Sequence, residues 1–222
     1  MNNFYKILVL TTIAITFSAC ATDRNLSNVK NPTNQVYQPA IAVNTSEREE
    51  ILGIVQNFAT SVACSTSFDD DARAKTTVND VFLVGTSNLG NPENKSFNSD
   101  YLVYWSGDMG CSGGVVDNTS FMTSLTKISN TRPFLIETGF GRDDIRHDKF
   151  FSDLDIYPNF VSEVDYKDGV FSIISSHDNG DGTNGWIGNN SPRYEYLYTV
   201  AGDASEGWRV VDKKLLSEHK LQ

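Results

Sequence analysis

An α+β fold is predicted for residues 46–222: an N-terminal helix packed on a curved, mainly antiparallel β-sheet of about eight strands. Three observations predict it. One stretch near the front has helical periodicity, about eight short β-favouring stretches follow it, and turn residues separate most of them. Strands that come as a run, and do not alternate with helices, pair antiparallel. A sandwich with an N-terminal helix is the other way to arrange the same elements. The 177 residues suit a single domain with a sizeable core, and no internal repeat or second linker interrupts them.

The helix opens near Ser46, with Glu49 three residues on in capping-box spacing. Ile51, Leu52, Val55, Phe58, Ala59 and Val62 recur on one face, opposite Glu50, Gln56, Asn57 and Ser61. It ends near Cys64, before the polar stretch 65–71. Residues 81–84 (Val-Phe-Leu-Val) and 101–105 (Tyr-Leu-Val-Tyr-Trp) are short, apolar and β-favouring. Residues 121–128 alternate with Thr and Ser, and 133–136 follow as the fourth strand. Residues 160–164 and 170–174 flank Lys167-Asp168-Gly169, a hairpin turn. Residues 194–200 alternate again, and 208–212 form the last strand after Glu206-Gly207.

The first 19 residues read as an export signal. Lys6 precedes an apolar run of 11 residues, 7–17, which suits a signal peptide and is too short to span a bilayer. Phe17-Ser18-Ala19-Cys20 then resembles the lipobox of bacterial lipoproteins, with Phe17 where Leu is usual. The resemblance covers about the first 22 residues. It implies cleavage before Cys20, acylation of that cysteine and anchoring in the cell envelope. Ala21 after the cysteine, rather than Asp, implies the outer membrane, facing the periplasm. Two or more acyl chains make a stable anchor. Residues 20–45 are rich in Asn, Thr, Ser and Gln, with Pro32 and Pro39, and read as a lipidated cysteine with a flexible tether. A coil of that length spans roughly 25–30 Å.

The chain carries a net charge of −10, and losing the leader, whose only charge is Lys6, makes it −11. That balance disfavours nucleic acid and anionic lipid surfaces and favours solubility or a basic partner. With Cys20 acylated, Cys64 and Cys111 remain, and in an oxidising compartment they are expected to pair.

Few stretches invite a chemical reading. Residues 107–114 (Gly-Asp-Met-Gly-Cys-Ser-Gly-Gly) superficially resemble the nucleophile loop of trypsin-like proteases. Met109 stands where the nucleophile belongs, however, and no base motif accompanies it. The glycines are better read as a tight turn that brings Cys111 to Cys64. A thiolate at Cys111 with His147 or His177 requires Cys64 to be unpaired. Residues 178–185 (Asp-Asn-Gly-Asp-Gly-Thr-Asn-Gly) miss the EF-hand spacing and read as a polar loop. Asp69-Asp70-Asp71 and Arg142-Asp143-Asp144 read as solvated loops, and His147, His177 and His219 lack metal-ligand spacing. Trp186, on the long polar loop, is a candidate binding anchor, and Tyr194, Tyr196 and Tyr198 share one strand face as core rim or ligand surface. These readings predict no catalytic residue, metal or cofactor. Two functions follow as expectations: a protein-binding envelope lipoprotein of inhibitor, immunity or assembly type, or a small-ligand binder or enzyme with a pocket in the sheet.

Overall fold

The amphipathic stretch forms α1, Thr45–Val62, in the computed structural model, which describes residues 45–88, 97–109, 111, 118–127, 133–137, 148–177, 193–203 and 206–219. Ile51, Val55 and Ala59 are fully buried, Leu52, Phe58 and Val62 pack beside them, and Glu50, Gln56, Asn57 and Ser61 face water. The buried set is the one expected from periodicity. The helix starts one residue ahead of Ser46, within the ordinary scatter of helix ends. Among the described residues no helix is long and apolar enough to cross a membrane.

Among the described residues eight antiparallel strands follow, in two sheets. The first joins β1 (Val81–Asn88), β2 (Phe97–Asp108), β3 (Asn118–Lys127) and β4 (Leu135–Glu137) in chain order. The second joins β5 (Val161–Lys167), β6 (Val170–His177), β7 (Arg193–Asp203) and β8 (Gly207–His219), also in chain order. The single curved sheet expected from sequence is therefore divided, and the helix-plus-sandwich arrangement is the one adopted. The physical reason lies in which faces are apolar. In the first sheet Val81, Tyr101, Val103, Trp105, Phe121 and Leu125 pack under α1, while Phe82, Val84, Leu102 and Met122 point the other way into a second core. A sheet apolar on both faces must be covered on both. The second sheet supplies that cover with Phe171, Ile173, Tyr196, Tyr198 and Val200. Its own strands alternate, as in β6, because among the described residues one face packs into this core.

The β5–β6 hairpin turns as its sequence requires. Asp168 and Gly169 have φ of 52° and 84°, the doubly positive pair of a two-residue hairpin loop. Between the sheets lies an unexpected short helix, α2 (Lys149–Asp153), capped by Asp148 and followed by a 3-10 turn at Pro158–Phe160. Phe151, Leu154 and Ile156 are buried in the inter-sheet core. Tyr104 ties the layers, its hydroxyl lying 3.3 Å from both Ser120 Oγ and the Val161 carbonyl oxygen.

Candidate functional site

Cys64 and Cys111 form a disulfide, with Cα atoms 5.3 Å apart. Residues 64–67 leave α1 and run antiparallel beside the end of β2. Cys64 N–H donates to the Asp108 carbonyl at 2.9 Å, Asp108 N–H to Ser65 at 3.0 Å, and Ser67 N–H to Ser106 at 2.8 Å. The strap comes so close that a Cβ on Gly107 would sit 2.8 Å from the Ser65 carbonyl oxygen. This segment is held for structure, and with both sulfurs bonded Cys111 offers no thiolate. Asp69, from the acidic run, accepts from Thr66 N–H at 2.7 Å and shapes the same turn. Asp70 pairs with Lys75 on the surface at 3.6 Å.

A cluster of polar side chains lies on the inner face of the second sheet. Register brings it together: Ile173 pairs with Tyr198, Ser175 with Tyr196 and His177 with Tyr194. On the other side Tyr198 pairs with Lys213 and Tyr196 with Leu215. Tyr194, Tyr196 and Tyr198 thus share one face. Tyr196 and Tyr198 are buried, and Tyr194 is half-buried. His177 is 1 % exposed, and its Nε2 lies 2.5 Å from the Tyr198 hydroxyl. Burial, reinforced by Tyr196 and Asp155, pushes the Tyr198 phenol well above its ordinary range, so it stays protonated. A protonated phenol both donates and accepts, so the imidazole tautomer sets the direction of this bond. Tyr157 lies against the His177 ring, and its carbonyl accepts from Ser175 Oγ at 2.9 Å. Lys213 closes the outer side, with Nζ 4.4 Å from the Tyr196 ring centre and 5.3 Å from that of Tyr198. Leu215, Leu216 and Val211 of the same strand β8 are exposed.

Chemically this cluster suits recognition better than proton transfer. His177 is buried and its Nε2 is engaged by the Tyr198 hydroxyl, whereas a general base must reach the proton that it abstracts. The strand expected from sequence ends at residue 174 and leaves His177 off it. The signal that could have placed it is the alternation Phe171, Ile173, Ser175, His177, which continues to the end of β6. Lys213 gave no signal before the β7–β8 register was known.

Two further groups stand out. Near the start of α1, Lys127 Nζ is 2.7 Å from Glu47 and 4.9 Å from the centre of the Phe134 ring. Burial and then Glu47 push the neighbouring Tyr101 phenol up to about 12. Between the sheets, Asp148 is buried without a cationic side chain among its described hydrogen-bond partners. Among the described residues no group of three or more His, Cys, Asp or Glu side chains could hold a metal ion. Cys20, His147, the Arg142-Asp143-Asp144 run, the 178–185 loop and Trp186 lie outside the described residues. No family model matches the chain, and no curated protein or solved structure is significantly similar to it.

Proposed function

We propose that this chain is a non-catalytic lipoprotein of the bacterial cell envelope, anchored through Cys20 and holding its folded part away from the membrane to bind another protein. Its cysteine usage carries the reading. Two of the three cysteines pair with each other, and the remaining one is the lipobox cysteine. Disulfides persist in oxidising compartments, which agrees with export. The site's chemistry supports binding over catalysis, because its histidine is buried and engaged with Tyr198. The exposed Leu215 on β8, paired with Tyr196, supplies apolar surface beside it, and the net negative charge favours a basic partner.

The anchor is tested by mass spectrometry of the N-terminal peptide from native membranes. Acyl chains on Cys20 and loss of residues 1–19 are expected, whereas an intact, unacylated N-terminus in the cytosol overturns the proposal. Binding is tested by crosslinking in intact cells with wild type, Trp186→Ala and Leu215→Glu. A specific partner lost in either variant supports it, and the same crosslinks in all three count against this surface.

A second reading, a small-ligand binder, draws on the His177–Tyr198–Lys213 cluster. Titration with small polar compounds, followed through the His177 ring protons, checks it. A ring that responds to none of them removes this reading.

A further inference from the structure

We propose that Asp148 is a pH-sensitive latch that governs how firmly α2 is seated between the two sheets. The geometry is that of one carboxylate joining two layers. Oδ2 accepts from the Met122 N–H of β3 at 3.0 Å, and Oδ1 from the Phe151 N–H of α2 at 3.2 Å. Among the described residues β4 pairs with β3 at Ser124, Leu125 and Thr126, and at Met122 the carboxylate accepts the N–H that faces away from β2. What it holds in place is a wedge of aromatic rings. Phe150 lies 5.7 Å from Phe171 and 6.1 Å from Trp208 between ring centres, and Phe151 lies 6.4 Å from Tyr104.

The charged and titratable surroundings are sparse among the described residues. α2 itself brings Lys149 and Asp153, and Asp155 follows in the next turn. The only charged residue of β3 is Lys127, at its far end and paired with Glu47. The 3-10 turn at Pro158–Phe160 carries no charge, and β2 contributes Tyr104, a phenol pushed up by burial. The second sheet meets α2 with Phe171 and Trp208, while its His177 and Tyr198 are bonded to each other. Asp148 is 2 % exposed. Burial outweighs the N–H donors of Met122, Phe151 and Phe150, and with a smaller push from Asp153 it raises the carboxyl to about 7.

The sign follows from linkage. The folded state holds this proton more tightly than an opened one, where the carboxyl returns toward 3.8. The seat is therefore firmest below that ordinary value and loosens as pH rises through about 7. Above that the ionised group is either buried at a cost or released with α2.

Hydrogen exchange of the full chain, corrected for intrinsic rates, tests this over pH 5 to 9. Opening of residues 149–156 is expected to increase roughly tenfold between pH 6 and 8 and then level off, with those α1 amides that exchange by local fraying unchanged. Asp148→Asn should abolish the dependence. Asp153→Asn, which keeps the latch and removes a like charge, should shift the window to lower pH, and it decides the matter if the first variant does not fold. Protection of α2 that is independent of pH in the wild type, or a dependence that survives Asp148→Asn, overturns the proposal.

Discussion

Trp105 is fully buried under α1, stacked on Phe121 at 4.5 Å, and its indole N–H donates to Thr123 Oγ1 at 2.8 Å. That hydroxyl is the indole's hydrogen-bond partner, so Thr123→Val, nearly isosteric, strands a buried donor. The expected cost is about 1–3 kcal/mol in urea unfolding, and a loss below about 0.5 kcal/mol would show that water reaches the indole. Gly107 makes a different point. A methyl there meets the Ser65 carbonyl oxygen at 2.8 Å and the Trp105 ring at 2.9 Å. Gly107→Ala must therefore push the 64–67 strap away from β2. A loss of about 1–3 kcal/mol is expected, with a matching change in Trp105 emission, whereas a neutral outcome would mean that the strap yields freely.

At the scale of elements, the disulfide and the edge strand carry the next expectations. The bond joins residues 47 apart and fastens the end of α1 to the loop after β2. Replacing both cysteines with Ser should cost about 4 kcal/mol if chain entropy governs, and reductant should then have no further effect on the variant. β8 pairs only with β7 among the described strands, and it carries Lys213 and Lys214 between two irregularities in its register. Lysines and bulges are the usual protection of an exposed strand edge. Lys213→Val with Lys214→Val is expected to give concentration-dependent association in sedimentation velocity, under conditions where the wild type does not change. The strands were legible in sequence because each alternates or runs apolar between turn residues, and α1 because six apolar positions hold its period. α2 was not, because five residues are too few to show a period, and its stability comes from Asp148 and the rings around it. The tyrosine face was legible from spacing alone. Its meeting with His177 was not, because that depends on a β6–β7 register set across residues 178–192, a connection whose geometry no local pattern specifies.

At the scale of the whole molecule, the first sheet is shared by two cores. Its α1-facing side packs Trp105, and its other side, through Phe82 and Phe171, leads to Trp208. Neither core can lose its share of this sheet without disturbing the other, because the same backbone positions set both faces. The layers are therefore expected to unfold as one cooperative unit, although they present two chemically separate interiors. Two variants separate the probes: Trp105→Phe with Trp186→Phe leaves Trp208, and Trp208→Phe with Trp186→Phe leaves Trp105. Each substitution shifts stability, so both fluorescence transitions are compared with far-UV circular dichroism of the same variant. Coincident midpoints in each are the expected result. A Trp208 transition that precedes the loss of secondary structure, while that of Trp105 does not, would mean that the second sheet opens away from a persisting helix–sheet pair. The unit of folding would then be the layer, and the face bearing His177 and its tyrosines would be the first part of the protein to open.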